Sequence, residues 1–127
     1  MTTEYFNLAW PTSRTVIGPR LCLDSGALVV DYDFEQDDGS VKWIRITFQD
    51  VLAFEYRQIV CCCAEDLDAY NRVVKYLGSE WLKEMLNRRQ RFLGGQAGED
   101  CNLYAHWRIY FDDAGCVDVI AQAFEVN

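Results

Sequence analysis

The sequence predicts an α+β fold, a mainly antiparallel β-sheet built from two long bulged-turn hairpins with two short helices packed on one side. Three observations predict it. Apolar and polar residues alternate on both sides of two Asp-x-Gly turns, Asp37-Asp38-Gly39 and Asp113-Ala114-Gly115. Between the hairpins, two stretches carry apolar residues at helical spacing. The order is therefore strands, then helices, then strands. At 127 residues the chain has the size of one domain, so residues 1–127 are expected to share a single core.

Taken in order, the first 25 residues predict one or two short edge strands, because Phe6, Leu8 and Trp10 alternate before Pro11 and short apolar pieces follow at 15–17 and 21–23. Residues 27–48 form the first hairpin. With Gly39 left-handed, Tyr32 faces Ile44, Val30 faces Ile46 and Leu28 faces Phe48, while Asp31 meets Arg45 on the other face. A tighter Asp-Gly turn would set Asp31 against Ile46, so the bulged turn is preferred. Residues 51–60 continue as a strand after a bend at Gln49-Asp50, with Leu52, Phe54 and Tyr56 on one side and Glu55 and Arg57 on the other.

Asp66 is a suitable N-cap for a helix whose stripe is Leu67, Tyr70, Val73, Val74 and Leu77, ending at Gly78. Ser79 caps a second helix with Trp81, Leu82, Met85 and Leu86 on its buried stripe and Glu84 four residues before Arg88. The glycine-rich stretch 94–100 lacks the Lys and Ser/Thr of a phosphate-cradling loop and ends in two acids, so it is read as a connector. Residues 102–126 form the second hairpin. With Gly115 left-handed, Phe111 faces Val117, Ile109 faces Val119, Trp107 faces Ala121 and Ala105 faces Ala123, which makes one face wholly apolar.

Composition removes several classes of function. Half the residues are hydrophobic and 14% aromatic, too apolar for a disordered chain. No apolar run approaches the roughly 20 residues of a membrane helix. The start, Met1-Thr2-Thr3-Glu4-Tyr5, has no basic cluster before an apolar segment, so a cytoplasmic protein is expected. Of six cysteines, three are consecutive and none forms a C-x-x-C pair, which suits reduced thiols acting as small hydrophobes. No cofactor and no metal is expected, a site drawn from the thiols and His106 being the remaining metal alternative. The net charge of -8, from 20 acids against 12 bases, disfavours nucleic acid and suits either a basic partner or plain solubility.

His106 is the only histidine. It shares a face of the second hairpin with Tyr104, Arg108, Tyr110, Asp118 and Gln122, which reads as a solvated sheet face or a surface for a partner. Catalysis is not expected, because the sequence identifies no positioned nucleophile. Cys116 is the one candidate, and Asp112, Asp113 and Asp118 should raise its pKa. Acids also gather at the first hairpin: Asp31, Asp33, Glu35, Asp37 and Asp38 lie within eight residues without a base. If both hairpins belong to one sheet, their tips would form a continuous negative surface. The candidate partner-binding residues are therefore Asp31, Asp33, Glu35, Asp37, Asp38, Trp43, Tyr104, His106, Tyr110, Asp112, Asp113 and Asp118.

The run from His106 to Ala121, with its Phe111-Asp112-Asp113-Ala114-Gly115 turn and Val119-Ile120-Ala121 strand, and Ser79-Glu80-Trp81-Leu82-Lys83-Glu84 upstream, resembles the C-terminal part of small bacterial immunity proteins of polymorphic toxin systems. The likeness covers roughly a third of the chain and consists mostly of hairpin chemistry. It implies a cytoplasmic immunity protein, not an enzyme, that binds and neutralises a cognate protein toxin through acidic and aromatic contacts. It transfers no catalytic residue. The alternative is an interaction or small-ligand-binding domain with another partner.

Overall fold

The computed structural model describes residues 2–94, 103–112 and 114–127. Their strands form two antiparallel sheets. The five-stranded sheet runs β1 (Thr2–Asn7), β6 (Arg72–Leu77), β7 (Ala105–Phe111), β8 (Gly115–Ala121), β5 (Ala53–Gln58). The four-stranded sheet runs β2 (Arg20–Asp24), β3 (Ala27–Glu35), β4 (Val41–Gln49), β9 (Ala123–Val126). Alternation drives their packing: Leu28, Val30, Tyr32, Ile44, Ile46 and Phe48 from the second sheet meet Val73, Trp107, Ile109, Phe111, Val117 and Val119 from the first in one buried cluster.

The first hairpin has the expected register, with Leu28 opposite Phe48, Val30 opposite Ile46, Asp31 opposite Arg45 and Tyr32 opposite Ile44. Gly39 takes the expected left-handed conformation at φ 85°. The N-terminal region supplies β1 and β2, both at sheet edges as expected. Asp50, at φ 54°, makes the bend before β5.

Three expectations are corrected. The region read as a first helix is a 3₁₀ turn, Ala64–Ala69, followed by strand β6, so only one α-helix, α1 (Glu80–Leu93), is present among the described residues. Val73 joins the core between the sheets while Val74 packs on the opposite face, and a strand buried on both faces carries the same continuous apolar run as a short helix. Secondly, the C-terminal hairpin pairs Ile109 with Val117 and Phe111 with Gly115, two residues tighter than expected. The strand period is two, so every side chain keeps its face. The hairpin also stops at Ala121, and Ala123–Val126 crosses over to pair with β4. Thirdly, the two hairpins belong to different sheets.

The outer face of β7 and β8 is covered. On one part of it α1 packs Leu82, with Trp81, Met85 and Leu86, against Tyr104 and Ile120. On another, Ala69 joins Val74, Tyr76, Tyr110 and Cys116. As the sequence suggests, Ser79 caps α1 by accepting from the Leu82 N–H at 3.1 Å, and Gly94 ends it at φ 62°.

Candidate functional site: an acidic end and a buried charge cluster

Although they lie in separate sheets, both hairpin tips reach the same end of the molecule. The Tyr32 and Phe111 rings meet at 5.4 Å and those of Phe48 and Trp107 at 6.4 Å, so β3 and β7 run in the same sense towards their turns. Residues 12–15 tie the tips together. Asp112 N–H donates to the Thr12 carbonyl at 3.2 Å, the Thr15 hydroxyl donates to the Asp112 carbonyl at 3.3 Å, and Arg14 pairs with Asp37 at 2.8 Å. Glu35, Asp37 and Asp38 are exposed there and Asp112 is half-buried. Asp113 lies outside the described residues. Beside the tips is a hollow of about 420 Å³ lined by Trp10, Arg14, Phe34, Gln36, Asp37 and Asp38.

The other candidate residues are placed differently. Asp31 grips Arg45 through two hydrogen bonds of 2.8 and 3.1 Å, and Trp43 is 39% exposed with Arg20 stacked over its ring at 4.4 Å. Asp33 is fully buried and accepts the backbone N–H groups of Val16, Ile17 and Gly18 at 2.7, 2.8 and 2.8 Å. Burial pushes its carboxyl up, but these three donors outweigh that and hold it below the usual carboxylate range. Tyr104, His106, Tyr110 and Asp118 are likewise buried, so the polar-aromatic face is an internal layer where the sequence suggested a surface.

That layer contains a charge cluster. Asp118, only 1% exposed, accepts from His106 Nε2 at 2.5 Å and Arg108 Nε at 2.7 Å on one oxygen, and meets Arg57 Nη1 at 2.8 Å on the other. Asp66 closes the ring, meeting Arg57 at 2.8 Å and Arg108 at 3.2 Å while accepting from the Cys63 N–H at 2.8 Å. Two carboxylates thus balance two guanidiniums, the condition under which buried charge is tolerated. Burial pushes the Asp118 carboxyl up, yet the His106 hydrogen bond and the Arg108 guanidinium outweigh it and hold the carboxyl below the usual range. For Cys116, burial first and the Asp118 carboxylate second push the thiol well above its usual value, the expected direction, so it is a poor nucleophile.

His106 has both ring nitrogens engaged. Its Nδ1 lies 2.9 Å from the Ser79 hydroxyl oxygen. The Asp118 carboxylate can only accept, so Nε2 is the donor on that side, and Nδ1 is placed to accept from the Ser79 hydroxyl, whose oxygen also accepts from the Leu82 N–H. Coordination of a metal by His106 would break one of these bonds. Ser79, His106 and Arg108 open onto a cleft of about 370 Å³ whose other walls include Tyr5, Glu65, Asp68 and Tyr76.

In the sequence Ser79 and Asp66 carried only a capping signal, and Arg57 only strand alternation. Their convergence depends on the long-range pairing of β5 with β8 and of β6 with β7, which local spacing does not encode. No protein-family model matches the chain, and no curated protein sequence or solved structure is significantly similar to it.

Proposed function

We propose that this protein is a cytoplasmic immunity protein that binds and neutralises a cognate protein toxin with a basic surface, and that its contact surface is the acidic end. The observation that carries this reading is the meeting of the two acidic tips at one end, where Arg14 is paired with Asp37 and Glu35, Asp38 and Asp112 make no ion pair among the described residues. Such a patch speeds encounter with a cationic surface and favours one orientation of docking. The hollow beside it adds the rings of Trp10 and Phe34, whose faces attract cations; Lys42 and Arg14 already sit over them at 3.9 and 5.3 Å. The resemblance of the C-terminal segment to immunity proteins points the same way.

A second reading, an interaction or small-ligand domain, draws on the hollow of about 390 Å³ beside Trp43, lined also by Arg20, Asp31 and Arg45. The two are separated by genetics and pull-down. On the first reading, the gene beside this one encodes a secreted toxin whose C-terminal domain can be cloned only together with this protein and co-purifies with it. A toxin domain equally lethal with and without the protein would sink the proposal.

A further inference from the structure

A hydrolase at this cleft looked excluded because the sequence identifies no nucleophile, and the fold supplies one. We propose that Ser79, His106 and Asp118 form an acyl-transfer site at the cleft beside the N-terminus of α1, acting on small carboxylic esters that carry no negative charge.

The geometry is that of a hydrogen-bonded relay. The Ser79 hydroxyl is 2.9 Å from His106 Nδ1, and His106 Nε2 is 2.5 Å from Asp118. Each member has a partner that fixes its role. The Leu82 N–H occupies one lone pair of Ser79, which leaves its hydroxyl proton free to point to the imidazole. The rings of Tyr76 and Trp81, at 5.2 and 5.1 Å, hold His106 in place. Arg57 and Arg108 keep Asp118 charged, as a positioning residue for the Nε2 proton requires. On this proposal the oxyanion lies at the first turn of α1, directly after Ser79. In the first turn of α1 the Leu82 N–H is taken by Ser79, whereas those of Glu80 and Trp81 have no acceptor among the described residues, and they carry the positive end of a helix of 14 residues.

The reaction balances without any cofactor. Ser79 Oγ bonds to the ester carbonyl carbon as its proton passes to His106 Nδ1. The carbonyl oxygen takes the charge beside the Glu80 and Trp81 N–H groups. The tetrahedral adduct collapses as the C–O bond to the leaving alcohol breaks, and His106 returns the proton to that alcohol. Water, deprotonated by His106, then attacks the acyl-serine and releases the acid, which restores Ser79. Glu65 and Asp68 line the cleft without an ion pair among the described residues, whereas the Arg108 guanidinium beside them is already paired with Asp66 and Asp118, so an anionic ester is repelled there.

The test uses the intact protein with p-nitrophenyl acetate as substrate and a fluorophosphonate as covalent probe. The expected results are turnover of the ester, faster than that of the anionic p-nitrophenyl succinate, and one phosphonyl adduct that peptide mapping places on Ser79. Because Ser79→Ala also removes the helix cap, the decisive variant is Ser79→Asp, which retains a capping oxygen but no hydroxyl to acylate or phosphonylate and should lose both adduct and turnover. His106→Gln should lower turnover by about 10²–10⁴-fold. An adduct on another residue, no adduct on folded protein, or unchanged turnover in Ser79→Asp would each overturn the assignment, and equal rates for the two esters would overturn the substrate class. None of these readouts involves a toxin, so failure here leaves the acidic-end reading standing.

Discussion

Gly115 opens β8 at φ 130°, and a Cβ built on it would lie 2.1 Å from the Arg57 carbonyl oxygen of the neighbouring strand. Only glycine satisfies both the dihedral and the contact. Gly115→Ala is expected to cost about 2–4 kcal/mol, the sum of backbone strain and overpacking. Equal urea midpoints for the variant and the parent would show that β5 can move aside. The buried carboxylates make a second prediction at this scale. The carboxyls of Asp33 and Asp118 are held below the usual range, so the unfolded chain, titrating near 4, binds protons before the folded one does. Their contribution is complete above that value and is lost as pH falls through their lower folded values. The urea midpoint should therefore stay level from about pH 7 to pH 5 and decline below about pH 4. Asp33→Asn should start lower at neutral pH and decline less steeply in acid. Parallel declines for parent and variant would assign acid sensitivity to other groups.

At the scale of elements, Phe111→Ala tests the packing of the sheets on each other. Phe111 is fully buried against Tyr32, and truncation is expected to cost about 3–5 kcal/mol in denaturant melts, with a loss under 1 kcal/mol meaning that the ring is not a core member. The same residues show which elements local chemistry makes legible. The β3–β4 register follows from Gly39 and one-sided alternation, and α1 follows from Ser79 and its apolar stripe. Alternation also assigns the faces of β7 and β8, but not their offset, because Gly115 is required by contact with β5 and its turn geometry is a consequence. Strand β6 was illegible because Val73 and Val74 are buried on opposite faces, and which partner each meets is decided by strands distant in sequence. The site divides likewise. Exposed turn acids are readable from composition, whereas Tyr104, His106, Tyr110 and Asp118 look like surface until α1 and the turn at Ala64–Ala69 are known to cover them.

At the scale of the whole molecule, acidic-end binding makes a kinetic prediction that folding does not disturb. Asp37→Asn, Asp38→Asn, Asp112→Asn and Asp113→Asn together remove charge but keep turn-forming side chains. The Arg14–Asp37 pair is open to solvent, its Asp37 side chain 98% exposed, so its loss is of little consequence for stability. At Asp38 the oxygen that accepts from the Ser40 N–H at 2.9 Å has a counterpart in Asn. With the cognate toxin domain as partner, association should slow and its dependence on salt should weaken, because steering scales with the charge removed. Dissociation should change little, since it reports contacts packed after encounter. Trp43→Ala is the complementary variant. If Trp43 is a packed anchor, its loss speeds dissociation by about 10- to 30-fold, the equivalent of about 1.4–2 kcal/mol, and leaves association nearly unaltered. Tyr104 and Tyr110 are buried, so truncating them should act through stability and provides the control for indirect effects. Stopped-flow association at several salt concentrations separates these outcomes. An association rate and salt slope unchanged by the four Asn substitutions would mean that the tips are merely solvated turns, and the contact surface would then be sought around Trp43 on the outer face of the four-stranded sheet.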